Sequence, residues 1–263
     1  MGTNPSNTAQ KAKYIRNILK LRYFDPEFST QAVRARDPYV QLSWSPLPPY
    51  VQEYRQIRRL QKDLQQEVIN QHVTRPLIDA AGRALGIMDD SGHLYLECPD
   101  DANIVMDFII YETWDNASNA VQLYFNSHSN LSGAEREIMD GMLHARTSLY
   151  EIQYIDGIFL TLRDLLAEES SVARGDCPLA DIGLSQSARP GTLLFIRVIP
   201  LGKVQITSGI IFPFAGSYKL ELLAAFDVQF QANASGAVDP IEKYAFFFKQ
   251  HRKRGIPISY LDV

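Results

Sequence analysis

The chain has 263 residues, of which 46% are hydrophobic and 21% charged, with a net charge of −4. That hydrophobic share with so little net charge excludes a disordered chain, and the length allows one large domain or two smaller ones with a real core. Two cysteines, Cys98 and Cys177, make no disulfide framework, and no Cys-x-x-Cys pair points to zinc or redox chemistry.

In chain order, Tyr14, Ile15, Ile18, Leu19 and Arg22 are spaced to give one stripe on a short helix over residues 12–23, closed by Pro26. Residues 26–49 read as an extended connection ending in the stiff run Pro46-Leu47-Pro48-Pro49. From Tyr50 to about Gln71, Tyr54, Ile57, Leu60, Leu64 and Val68 recur every three or four residues, which predicts an amphipathic helix. A second helix, Pro76 to Leu85, stops at Gly86, a good residue just past a helix end. Ile87-Met88 and His93–Glu97 flank Asp89-Asp90-Ser91-Gly92, a tight turn between two short strands. Ile104, Val105, Phe108, Ile109 and Tyr111 follow helical spacing. Asn116 is placed to cap a further short helix through Phe125, with Ala120, Val121, Tyr124 and Phe125 inward.

Ser132-Gly133-Ala134-Glu135 is a capping box, so a helix follows that buries Ala134, Ile138, Met139, Met142, Leu143 and Ala145. Just past Arg146 the apolar period falls from about three and a half to two. Leu149–Ile155 and Ile158–Leu162 straddle Asp156-Gly157, a hairpin signal, and further strands are expected near Ser171–Arg174, Thr192–Ile199 and Val204–Phe212. Pro190-Gly191 and Leu201-Gly202 supply turns. Two helices finish the chain, Tyr218–Gln229 and Pro240–Arg252, the latter capped by Asp239 with Pro240 in its first turn. The expected fold is α+β. A mainly helical part spans residues 1–146 with one short hairpin near 87–97. A small antiparallel β-barrel or curled sheet of about five strands spans 147–215, and C-terminal helices over 216–263 pack on the core.

Charge is unevenly placed: residues 1–75 carry 12 Lys/Arg against 6 Asp/Glu, and the remainder 14 against 24. Internal balance is the simplest reading, with separate partner surfaces the other. Arg55, Arg58 and Arg59 on the 50–71 helix, with Arg252, Lys253 and Arg254 at the end of the last one, are the candidates for a nucleic-acid surface. Asp89, Asp90 and His93, with Asp100 and Asp101 beyond, offer oxygen and imidazole ligands for Mg²⁺, Mn²⁺ or Ca²⁺, although a hairpin turn asks for the same residues. Asp140 and His144 stand four apart on one helix face, as a surface ion pair or an oriented base. Arg163 and Arg197 interrupt apolar strands; they could form an anion site in or beside the barrel, or pair across it with Asp164 or Glu151. The phosphate loop, dinucleotide fingerprint, nucleophile elbow and His-Glu-x-x-His motifs are missing, so no catalytic set and no cofactor are assigned.

Leu131-Ser132, Ser148-Leu149-Tyr150-Glu151-Ile152, Leu162-Arg163-Asp164-Leu165-Leu166, Pro190-Gly191 and Arg197-Val198-Ile199-Pro200-Leu201 resemble a group of uncharacterised bacterial proteins. Many members of that group carry a C-terminal Cys-rich zinc module, the SEC-C motif. No Cys follows Cys177 here, so the resemblance implies no zinc. It implies a bacterial intracellular protein and is silent on chemistry.

The polar first ten residues lack an apolar signal run, and the apolar runs around 193–201 and 210–215 are too short to cross a bilayer. A cytoplasmic protein without membrane contact is therefore expected. Its first functional reading is a non-catalytic binding or scaffold protein acting through protein partners or self-association. RNA or DNA binding by the barrel and basic helices is the second, and a metal-dependent hydrolase built on residues 89–115 is the third.

Overall fold

The structure, a computed structural model, describes residues 49–98, 100–114, 118–167, 178–230 and 238–257. The expected helix over 12–23, the proline run before Pro49, the Asn116 cap and the strand near 171–174 lie outside the described residues.

Five helices come first: α1 (Pro49–His72), α2 (Arg75–Leu85), α3 (Asp100–Tyr111), α4 (Ala120–Ser127) and α5 (Gly133–Leu143). Pro49 opens α1, where its missing N–H costs nothing. α4 is capped by Asn119, whose side chain accepts from the Gln122 N–H at 2.8 Å. The Ser132 box at α5 is complete, with both reciprocal hydrogen bonds present. Ala134, expected inside, is exposed because it lies in the first turn, ahead of the point where α5 reaches the core. The expected hairpin over 87–97 shrinks to one bridge, Met88 with Leu94. Backbone hydrogen bonds from Asp89 N to the His93 carbonyl (2.9 Å) and from Tyr95 N to the Ile87 carbonyl (2.7 Å) flank that bridge, and Asp89 also takes the His93 N–H onto its carboxylate at 2.7 Å.

The strands are β1 (Arg146–Asp156), β2 (Phe159–Asp164), β3 (Leu179–Ala180), β4 (Leu193–Leu201) and β5 (Val204–Phe214). They pair in a closed ring, β1-β2-β3-β5-β4, with β4 returning to β1. Neighbours are antiparallel everywhere except between β3 and β5, which run parallel. A ring of five cannot alternate direction throughout, because five is odd, so one parallel seam is obligatory. β3 has two residues and so offers no period to read; behind it Asp181 caps a short α6 (Ile182–Ser187).

Alternation along β4 separates two cores. Leu194, Ile196 and Val198 fill the ring with Tyr150, Ile152 and Leu160. Leu193, Phe195 and Ile199 face outward into the helical layer. β4 is thus covered on both sides, and residues 193–199 are all at most 5% exposed. A 3₁₀ turn (Gly216–Tyr218) leads into α7 (Lys219–Phe230), followed by α8 (Pro240–Arg254). In α8 the run Tyr244–Phe248 is buried throughout. Phe247 stacks on Phe195 with ring centres 4.2 Å apart, while Phe246 meets Phe226 of α7 at 5.7 Å. With Arg254 paired to Glu221 at the other end, α7 and α8 lie antiparallel.

Candidate functional site

Two features stand out: a polar cluster sealed between ring and helices, and a helix face left bare. The cluster begins with a bulge. Ile196 pairs with Ile211 and Val198 with Thr207, so Arg197 alone faces Ser208, Gly209 and Ile210. Two extra residues force β5 to bend, and Gly209 takes φ 113°, a conformation side chains resist. The bend frees carbonyls from the ladder, and α1 collects them. Arg58 donates to the Thr207 carbonyl, and Gln61 and Gln65 each donate from Nε2 to the Ser208 carbonyl at 3.2 Å. Gln61, at 0% exposure, is a buried polar residue on what the sequence presents as an apolar helix face. Its role follows from the bulge, since a buried carbonyl needs a donor.

Arg197 projects from the outer face of β4, beneath α3. Its Nη2 donates to Glu112 Oε1 at 2.7 Å and its Nε approaches Asp107 Oδ2 at 3.4 Å. The guanidinium carbon sits 4.4 Å from the Tyr111 ring centre. Burial opposes the Arg197 charge, but Glu112 and Asp107 outweigh it and raise its pKa, so it stays charged. Burial pushes the Asp107 carboxyl up against the pull of the same arginine. Lys243 of α8 donates from Nζ to the Thr147 carbonyl at 2.9 Å; burial lowers its pKa, with Glu112 and Asp164 pulling the other way. The Ser208 hydroxyl adjoins Asp107 and favours its charged form without reaching hydrogen-bond geometry, and Asp107 Oδ1 and Thr147 Oγ1 find no partner either.

Asp107, Thr147, Arg197 and Tyr244 line a gap with Phe195 and Phe212, but it is too small for a water molecule. The cluster sets Asp107 and Glu112 against Arg197, with Lys243 close by.

The structure separates Arg163 from Arg197. Arg163 is exposed on β2 opposite Glu151, with β1 lying between it and β4. The expected pairing of Arg197 with Asp164 or Glu151 is corrected: its partners are Asp107 of α3 and Glu112 just past that helix, because it points out of the ring rather than across it. Asp164 accepts from the Ser148 hydroxyl at 2.5 Å, and Glu151 pairs with Lys219 at 2.9 Å.

Of the nucleic-acid candidates, Arg58 is spent on the bulge. Arg252 pairs with Glu97 at 2.7 Å and Asp101 at 2.6 Å, and Arg254 pairs with Glu221. Arg55, Arg59 and Lys253 are exposed. Asp89 pairs with His93 at 3.6 Å within its turn, and among the described residues no group of three or more His, Cys, Asp or Glu is arranged to hold a metal. Asp140 and His144 meet at 3.6 Å on the open surface.

The second feature is α7. Its sequence, Lys219-Leu-Glu-Leu-Leu-Ala-Ala-Phe-Asp-Val-Gln-Phe230, is apolar on every side, a pattern of helices that are covered all round. Only Leu222 and Phe230 are buried, while Leu220 is 83% and Val228 80% exposed. Sequence reading missed this face, because periodicity reports where a stripe lies and not whether anything covers it. The even spread of apolar residues around α7 was the available signal.

The profile of a family of unknown function, DUF7986, matches residues 50–261. The chain belongs to that family. No curated protein and no solved structure matches it. The DUF7986 match runs from the start of α1 to beyond α8, so it takes in the cluster, the ring and the bare helix alike. Among the described residues no helix is long and apolar enough to cross a membrane.

Proposed function

We propose that this DUF7986 protein is a non-catalytic binding or scaffold protein of the bacterial cytoplasm, acting through protein contacts. The observation that carries the reading is the face of α7: two aliphatic side chains on one line of an apolar helix, nearly fully exposed, held rigid by aromatic packing beneath. An exposed aliphatic stripe on a rigid element is how proteins present a contact surface. The sealed polar cluster fits the same reading, since Arg58, Gln61, Gln65 and Arg197 are engaged in holding ring to helices.

RNA or DNA binding keeps Arg55, Arg59 and Lys253 as its available cations, and a hydrolase on residues 89–115 keeps the Asp89–His93 turn; neither is favoured by a further observation. The test compares quantitative co-purification from the protein's own cells for the full chain and for Leu220→Lys/Val228→Lys. Both positions are solvent-facing, so thermal stability should be unchanged. Specific partners should fall at least tenfold with the variant. Equal recovery of every partner would overturn the assignment to this face.

A further inference from the structure

We propose that the bare face of α7 docks a cationic amphipathic helix of a partner protein, apolar along one side and flanked by Lys or Arg. The inference rests on reading that face as a protein-contact surface, and it names the chemistry of the partner. Leu220, Ala224 and Val228 stand four apart and so form one ridge along the helix. Ala224, small and exposed at its middle, leaves a notch where a larger side chain of a facing helix can seat. Beneath the ridge Phe226 packs on Phe246 and Phe247, with ring centres 5.7 and 5.5 Å apart, so the face has a fixed support.

Charge decides the partner. Asp227 lies three residues past Ala224 and is exposed beside the ridge. Asp239 and Glu242, exposed at the start of α8, belong to the same end of α7, since Phe246, one turn past Glu242, meets Phe230 at 5.7 Å. The C-terminal end of a helix is the negative end of its dipole, so α7 itself adds to that potential. The basic residues nearest in sequence do not offset it. Lys219 is held by Glu151 at 2.9 Å, and Lys243 turns inward to the Thr147 carbonyl.

A second copy fits less well. A stable interface between separate globular chains takes about 20–30 residues a side. The bare face of a 12-residue helix supplies far fewer, whereas a single helix with anchors four apart matches it. Two copies of α7 laid antiparallel about Ala224 would set Asp227 against Glu221, whose counter-ion is already Arg254. A helix that brings its own Lys or Arg offers Asp227 a free cation instead.

Fluorescence anisotropy on the full chain tests this with two synthetic amphipathic helical peptides, one of Leu and Lys, the other with Glu at every Lys position. The Leu/Lys peptide should bind at least tenfold more tightly than the Leu/Glu peptide. Leu220→Ser/Val228→Ser, which removes the ridge without adding charge, should weaken that binding at least tenfold. Asp227→Lys, which keeps the ridge, should narrow the preference about fivefold. Equal binding of the two peptides, or Leu/Lys binding that neither variant weakens, would overturn the proposal. Light scattering adds one more check: a mass that rises with concentration in the native chain but not in the double serine variant would make a second copy the occupant and overturn it too. Failure of the peptides, with co-purifying partners still lost from Leu220→Lys/Val228→Lys, would remove the cationic partner and leave the contact-surface reading standing.

Discussion

Arg197 shares one guanidinium between Glu112 and Asp107, and all three are within a few per cent of full burial. Such a group is costly to place and far costlier to break, because removing one partner strands the other charges away from water. Arg197→Met should therefore lower unfolding stability by about 3–5 kcal/mol, read as a lower midpoint in urea with an unchanged slope. A loss under about 1 kcal/mol would show that the carboxylates relax to solvent. At this scale the sequence was half legible: an arginine inside Leu193–Leu201 announces a paired charge. Its partners could not be read, because Asp107 and Glu112 are 90 and 85 positions away, on α3 and just past its end, and the pattern does not reveal what that helix touches.

The same limit appears in the elements. The long helices, the capping box and the β1–β2 hairpin were legible because each is written in local chemistry: a 3.6-residue period, a Ser-to-Glu spacing, an Asp-Gly turn. The β5 bulge was not, since Ser208-Gly209-Ile210 reads as ordinary strand until β4 is laid beside it. Its consequence is testable. Gly209 has φ 113°, and a Cβ there would come within 3.4 Å of Arg58 Nη2. Gly209→Ala should cost about 1–3 kcal/mol of backbone strain and loosen the grip of α1 on the ring, slowing no other element's formation. Hydrogen exchange should then accelerate across residues 58–65 first; uniform acceleration over the whole chain would contradict that coupling.

For the whole molecule, acidity supplies a probe. His251 stacks against Phe212 at 5.2 Å and stands edge-on to Phe214. Burial lowers its pKa from the usual 6.5 and Arg252 adds to the effect, opposed by the Ile256 carbonyl. Burial lowers His72 as well, with His128 beside it. The unfolded chain thus takes up these protons before the folded one. Stability is complete above pH 6.5 and declines as pH falls below it until the folded imidazoles also protonate. Asp107, raised by burial, runs in the opposite sense. Denaturation midpoints at pH 7.5 and 5.5 should differ less in His251→Phe, which keeps a ring against Phe212 but cannot titrate. An unchanged difference would place the sensitivity in other groups.

The double covering of β4 has an implication for access. With helices on one side and the ring's own filling on the other, that strand is closed off over residues 193–199, and β5 is largely shielded beside it. The β1–β2 hairpin is more open: Gln153, Tyr154 and Arg163 stand exposed on it. A visitor to the ring finds its strands open on that flank, where Tyr50 of the first helix leans over Phe159, while β4 and β5 lie under Phe247 and Phe248 of α8.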